Sequence, residues 1–216
     1  MRVTSLPSFL RAAAVCGATV LLATGCNKKA DNSMNYKSAI NSYYEAHPAC
    51  LFSHTVQFPV QVAKSDASKT APYDALVDQG LLVRTNGEKK VFIVASKQVN
   101  NYDLSDQGRS AWTADPSEPG FGNFCYGHRS VSTIDSATPT TSDPGATTTV
   151  SYHYTISGAP GWANAAETKT AFPSVATNLS GPLADTASLK NTGGGWEVTG
   201  GTGHPPATAA DGKVVQ

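Results

Sequence analysis

The residues best suited to chemistry are cysteines and histidines. His47, Cys50 and His54 stand together in H-P-A-C-L-F-S-H, and Cys125 and His128 in F-C-Y-G-H. Two thiolates with two or three imidazoles could hold Zn²⁺ tetrahedrally, or Cu(I), and the second pair has a zinc-like C-x₂-H spacing. Pro48 interrupts the first cluster, which disfavours one continuous helical ligand face there. Cys50 and Cys125 are as well suited to bonding each other, if the chain reaches an oxidising compartment. His153 and His204 stand alone and read as surface or core-satisfied side chains. No G-x-S-x-G, H-E-x-x-H, S-x-x-K or C-x-x-C occurs. Gly193–Gly195 is like a phosphate loop in composition only, because no Lys-Ser/Thr follows to reach a nucleotide. Asp103 and Asp106 are close in sequence, but Asp106 has a plain role in the first turn of a helix.

The chain has 216 residues with a formal net charge of zero; 40% of residues are hydrophobic and 15% charged. The length suits one domain of ordinary size, or two small ones, and the apolar content suits a packed core. The charge balance excludes a strongly basic nucleic-acid binder. Residues 1–25 have the form of a secretory signal: Arg2 and Arg11, then the apolar run AAAVCGATVLLATG, too short to span a bilayer comfortably. The run ends in Leu22-Ala23-Thr24-Gly25-Cys26, followed at once by the polar stretch NKKADNSMN.

This junction resembles the lipobox of bacterial lipoproteins, with Ala23 where such boxes most often carry Leu. The resemblance implies a diacylglyceryl group and an N-acyl chain on Cys26, which becomes the new N-terminus; acyl chains in combination anchor durably, where one alone binds marginally. Asn27 in place of Asp implies the outer membrane, facing the periplasm. Loss of residues 1–25 removes two Arg and no acid, so fourteen basic residues face sixteen acidic ones and the mature charge is −2. Cys16 leaves with the signal and Cys26 is acylated, so Cys50 and Cys125 remain as an even pair in an oxidising compartment. That predicts a Cys50–Cys125 disulfide.

The elements that must position these residues follow from periodicity. Residues 26–33 form a tether, with Ser33 the expected N-cap of a helix over 34–47. Tyr36, Ile40, Tyr43 and Tyr44 recur there at helical spacing and Pro48 stops it. Residues 51–63 alternate loosely, and Pro59 marks an edge strand or extended connection. Asp66 to Thr70 reads as a turn, and TAPYDALVDQG as a short helix with Pro72 in its first turn and Gly80 as its stop. LLVRT and KKVFIVAS flank Asn86-Gly87, a strong hairpin signal. Gly80-Leu81-Leu82-Val83-Arg84, with Tyr102-Asp103-Leu104-Ser105-Asp106-Gln107-Gly108-Arg109, resembles the wing region of winged-helix domains over residues 71–112. The likeness implies a local βαβ-type packing unit; no recognition helix precedes it, and no basic stripe supports DNA binding.

Ser105 is the expected cap of a short helix through Trp112, and 114–123 a loop. FCYGHRSVSTI reads as a strand with Phe124, Tyr126 and His128 on one face. It pairs with the cleanly alternating TVSYHYTIS, whose Val150, Tyr152, Tyr154 and Ile156 share a face. The Thr-rich stretch 135–149 between them is an exposed hairpin loop or an interdomain linker. A helix over 161–173 with Trp162, Ala165, Ala166 and Phe172 on one face is expected, then a terminal hairpin turning at 191–195. The tail 200–216 is expected to be disordered. The fold class is α+β: an N-terminal helix on one antiparallel sheet containing 91–96, 124–134 and 148–157, around a single core in a 34–199 domain.

Function is accordingly expected to be that of a membrane-anchored envelope lipoprotein with a binding or structural, non-enzymatic role. Its expected partners are the bilayer, through Cys26, and a protein or envelope component; no cofactor and no nucleic acid is implied. Two alternatives stay open. One is a periplasmic metal-binding protein using His47, His54, His128, Cys50 and Cys125. The other is a small periplasmic hydrolase or inhibitor module whose residues converge only in space.

Overall fold

The computed structural model describes residues 32–92 and 95–201. The stretch expected to be a signal, Cys26, most of the expected tether and the residues beyond Gly201 lie outside the described residues. The fold is α+β. Helix α1 (Ser33–Ala46) presents Tyr36, Ile40 and Tyr44 inward, as their spacing predicts. Its cap position is Asn32 rather than Ser33, which is already helical. Strands β1 (Ala49–Cys50), β2 (Val56–Gln57) and β3 (Val60–Ala63) follow.

Helix α2 (Ala67–Asp78) begins a turn earlier than expected, so Pro72 lies inside it. The Asp66 carboxylate accounts for the early start. It accepts from the Lys69 backbone N–H (3.2 Å) and the Ser68 hydroxyl (2.8 Å), capping the first turn. Burial of Ala75 and Leu76 then holds the helix past the bond that Pro72 cannot donate.

Strand β4 (Leu82–Phe92) runs straight through Asn86-Gly87, where a turn was expected. It pairs with β5 (Ala95–Leu104) as far as Phe92↔Ala95, with Asn86 opposite Asn100 and Gly87 opposite Val99. The longer ladder outweighs the local turn preference; one of its added cross-strand pairs is Glu88 with Gln98, bonded at 2.6 Å. β3 pairs β5 on its other side, giving a separate three-stranded sheet in the order β3-β5-β4. Residues 91–92 and 95–96 therefore do not join the sheet of 124–134, which corrects the single-sheet expectation.

Ser105 caps α3 (Asp106–Ala111), its hydroxyl accepting from the Gly108 N–H (2.8 Å) and donating to the Gly80 carbonyl (2.5 Å). Gly108 is required there: an added Cβ would overlap the Leu81 carbonyl oxygen. β6 (Trp112–Ala114) and β7 (Phe121–Thr138) take up part of the expected loop. Gly122 pairs with both Val56 and Ala114, so β6 lies along one side of the first half of β7 while β1 and β2 lie along the other. β8 (Thr147–Ser157), β9 (Leu183–Asn191) and β10 (Trp196–Gly200) extend the large sheet in the order β1-β7-β8-β9-β10. Residues 139–146 thus connect β7 to β8 as a hairpin loop. The helix expected over 161–173 is broken at Ala165 and Phe172 into α4 (Gly161–Asn164), α5 (Ala166–Ala171) and α6 (Pro173–Asn178). Both break residues have non-helical backbone, and Phe172 is buried in the core.

Two hydrophobic clusters form instead of one. The first gathers Leu76, Leu81, Leu82, Tyr102, Phe124 and Tyr126 beneath α2 and the short helices. The second packs Tyr36, Ile40 and Tyr44 of α1 on Val150, Tyr152 and Tyr154 of β8 and Leu189 of β9. Ile156 touches both. β7 serves both because its alternation breaks at Gly127 (φ +145°), where Cys50 stands opposite Cys125 but Ala49 opposite Gly127. Phe124 and Tyr126 face the first cluster, Val131 faces the second, and His128 leaves the Phe124 face that plain alternation assigns to it.

Candidate functional site

Cys50 and Cys125 are bonded to each other as directly opposed residues of β1 and β7. The bond consumes both sulfurs, so the thiolates of the metal alternative do not exist in this fold. The three histidines do not converge either. His47 stacks on Tyr43 at 4.1 Å and its Nδ1 lies 2.7 Å from the Tyr43 carbonyl. His128 Nδ1 lies 3.0 Å from the Tyr44 carbonyl, which also accepts from the His47 backbone N–H (3.2 Å), so both rings meet carbonyls of the last turn of α1. His54 is exposed on the β1–β2 connection. Among the described residues no group of three or more His, Cys, Asp or Glu is placed to hold a metal.

One carboxylate–imidazole pair is present. Asp135 and His153 lie 2.8 Å apart on the β7–β8 ladder, both about 40% exposed. Among the described residues no hydroxyl or thiol hydrogen-bonds the other ring nitrogen, so the pair lacks the nucleophile that a hydrolytic triad needs.

Among the described residues α1 and β10 border a groove of about 690 Å³. One wall is the outer face of α1, with Asn35, Ser38 and Ser42 at i, i+3 and i+7, opposite the inward Tyr36 and Ile40. The other wall is Gly194, Gly195 and the first three residues of β10, Trp196, Glu197 and Val198. Ser142 and Asn191 close one end. Asn191 fastens the Thr-rich hairpin loop to the β9–β10 turn: its amide donates to the Ser142 carbonyl (2.9 Å), and its carboxamide oxygen accepts from the Gly193 N–H (2.9 Å). The Asn32 amide donates to the Thr141 carbonyl at 3.2 Å, tying the same loop to the start of α1. Two half-buried aromatics border the space, Tyr43 and Trp196, the latter edge-on to Tyr36 at 4.9 Å.

A buried polar network fixes the α1 wall. Arg129 of β7 donates through Nη1 to the Tyr44 hydroxyl (2.9 Å) and to Asp185 Oδ2 of β9 (3.1 Å). Its guanidinium sits 4.9 Å from the Tyr44 ring centre and 4.8 Å from that of Tyr154. The Tyr44 and Tyr152 hydroxyls are 2.9 Å apart. Burial, then the hydrogen bond to Tyr44, pushes the Tyr152 hydroxyl well above the ordinary phenol value. Four elements are locked together here, with the Arg129 side chain 12% exposed and that of Asp185 2%.

The groove was not found from sequence, although its signal was present: a polar i, i+3, i+7 stripe on the face of α1 opposite its tyrosines, plus an Asn-Gly-rich turn far along the chain. No family model, no curated protein and no solved structure matches the chain.

Proposed function

We propose that this chain is an envelope lipoprotein, anchored through acylated Cys26, whose groove binds rather than catalyses. The groove's chemistry supports the reading. Its lining offers amides, hydroxyls, two aromatic rings and one carboxylate, and no imidazole, thiol or amine among the described residues. Such a set suits recognition by hydrogen bonding and ring contact rather than proton transfer or nucleophilic attack. Position supports it as well. Asn32 lines the groove and stands six residues after Cys26, a stretch that reaches at most about 22 Å when extended. An acylated Cys26 would hold the groove close to the bilayer surface, where envelope components are met.

The test is fractionation of cells expressing the full chain or Cys26→Ser, with metabolic labelling by an alkynyl fatty acid. The full chain should label and sediment with membranes, and the variant should do neither. A variant that still sediments with membranes, or an unlabelled full chain, overturns the anchor. The hydrolase alternative has one observation in its favour, the Asp135–His153 pair. It predicts ester or amide hydrolysis lost in His153→Ala.

A further inference from the structure

Resting on the reading of this chain as membrane-anchored, we infer that the end of the β4–β5 ribbon is a second contact with the bilayer. Lys89, Lys90 and Lys97 meet anionic headgroups, and the apolar run between them enters the acyl chains. Residues 88–98 read Glu-Lys-Lys-Val-Phe-Ile-Val-Ala-Ser-Lys-Gln. The apolar run from Val91 to Ala95 is flanked by Lys89 and Lys90 before it and by Lys97 two residues after it. β4 and β5 pair as far as Phe92↔Ala95, so this run belongs to the ribbon's end.

The ribbon outruns its sheet. β3 covers β5 only up to Val99, the partner of Ala63, and one further bond joins the Lys64 N–H to the Gln98 carbonyl (3.0 Å). Beyond it β4 and β5 continue as two strands, through Lys89↔Lys97, Lys90↔Ser96 and Phe92↔Ala95. At about 3.3 Å per residue, the steps from Val99 to Ala95 carry the ribbon roughly 13 Å past β3. Residues 88–90 and 96–98 are all exposed. A pair of strands alone is at best marginal in water, because it has no core of its own. An apolar run at the end of such a ribbon is stabilised by apolar surroundings that the ribbon itself does not supply.

The charges select an anionic bilayer. Lys89 and Lys97 are directly opposite and share a face, and Lys90, the next residue, belongs to the other. Cations therefore stand on both faces of the ribbon, just behind its apolar run. Like charges directly opposite destabilise a strand pair, and a surface of negative headgroups offsets that repulsion. Among the described residues none of the three lysines has an ion-pair or hydrogen-bond partner. Glu88 is the one acid in residues 88–98, and it accepts from Gln98 Nε2 (2.6 Å). Three lysines against one acid give this segment +2, in a chain whose expected mature charge is −2. A soluble polyanion would meet the lysines and leave the apolar run in water. An apolar protein pocket would bury the run and leave the lysines unpaired. A bilayer supplies headgroup charge at its surface and hydrocarbon beneath, and lysine stems are long enough to keep their ammonium groups at that surface. With Cys26 as the other point of attachment, the ribbon would fix which side of the domain faces the membrane.

The experiment attaches a thiol-reactive fluorophore to Ala95→Cys in the full chain, purified from a lipoprotein-processing host. Cys50 and Cys125 are bonded to each other and stay unlabelled. The labelled chain is mixed with phosphatidylcholine vesicles, with or without phosphatidylglycerol, that carry a nitroxide quencher on the acyl chain. With phosphatidylglycerol present, the emission should fall about twofold or more, as expected for a residue held at the headgroup–acyl boundary. A label on Ser110→Cys, in α3 beyond the opposite end of β5, should keep its emission. Lys89→Glu, Lys90→Glu and Lys97→Glu together should abolish the quenching at residue 95 with an unchanged melting temperature, because all three side chains are exposed. Three results would overturn the inference. One is a residue 95 label no better quenched than that at Ser110, which leaves the lysines as a guard against strand-edge aggregation. The second is quenching that survives the charge reversal. The third is an emission change on adding heparin with none on adding vesicles, which makes the ribbon a polyanion site. The parent chain, labelled in parallel, reports a free Cys26 thiol and so tests the anchor separately. If that thiol is free, the same labels on a Cys26→Ser background still read the ribbon.

Discussion

Replacing both Cys50 and Cys125 by Ser should destabilise the fold by about 2–4 kcal/mol. The bonded cysteines are 75 residues apart in sequence. For a loop of that size the chain-entropy model gives about 4.5 kcal/mol at 25 °C as the constraint lifted from the unfolded state. The measured loss should be smaller, because denatured chains are compact and already restrict the loop. In the folded state the variant keeps its other ties. The Leu51 N–H still donates to the Phe124 carbonyl (3.0 Å), and the Asn123 side chain still brackets Phe52, accepting from its N–H (3.1 Å) and donating to its carbonyl (2.7 Å). β1 should thus remain in register, and the loss should appear in stability rather than in shape. For a domain of this size, 2–4 kcal/mol lowers the melting temperature by roughly 4–16 °C. Urea unfolding followed by circular dichroism measures it, as a lower midpoint with near-native far-ultraviolet signal before the transition. A loss below about 0.5 kcal/mol would refute the reasoning, as would stoichiometric thiol labelling of Cys50 and Cys125 in the denatured, unreduced protein.

Gly108→Ala should cost about 1–3 kcal/mol by overpacking, since its methyl group meets the Leu81 backbone carbonyl rather than a yielding side chain; thermal unfolding measures this, and a loss under about 1 kcal/mol would contradict it. Arg129→Met should cost about 3–5 kcal/mol by removing the guanidinium that compensates the Asp185 carboxylate, and adding Asp185→Asn should recover part of the loss in a double-mutant cycle. Burial, then the hydrogen bond to Asp74, pushes the Tyr102 phenol up to about 12. Its folded-state value is raised above the unfolded value of about 10, so its contribution is fully present below pH 10 and is lost as pH rises toward 12. Tyr102→Phe should flatten that alkaline limb, measured by chemical unfolding at a series of pH values; an unchanged limb would exclude Tyr102 as its source.

Local rules carried the parts of this fold in which one face is buried and the other solvated. The spacing of Tyr36, Ile40 and Tyr44 located α1, the alternation of Val150, Tyr152 and Tyr154 located β8, and Ser105 with Gly108 located α3. The disulfide was legible because only two cysteines remain once the resemblance at Cys26 is applied. Features set by long-range pairing were not legible. Asn86-Gly87 carries a turn signal, yet the ladder between β4 and β5 continues past it. Pro72 suggests a helix start, but the Asp66 cap starts the helix a turn earlier. Plain alternation put His128 with Phe124 and Tyr126, and the offset at Gly127 that divides β7 between two cores is visible only when β1 is seen opposite it. Nor could spacing place Asn35 and Ser38 near Trp196 and Glu197, about 160 residues further along the chain. Only the pairing of β7 through β10 brings that strand back to α1, and the groove exists only in that arrangement.

The central claim, a binding module held at a membrane by its N-terminus, is tested most directly by the mass of the mature protein. Extracted in detergent from the envelope of a lipoprotein-processing host and digested, it should yield an N-terminal peptide beginning at Cys26 and carrying a diacylglyceryl group and a further acyl chain. A mature N-terminus at any other residue, or an unmodified Cys26 thiol, would contradict the claim.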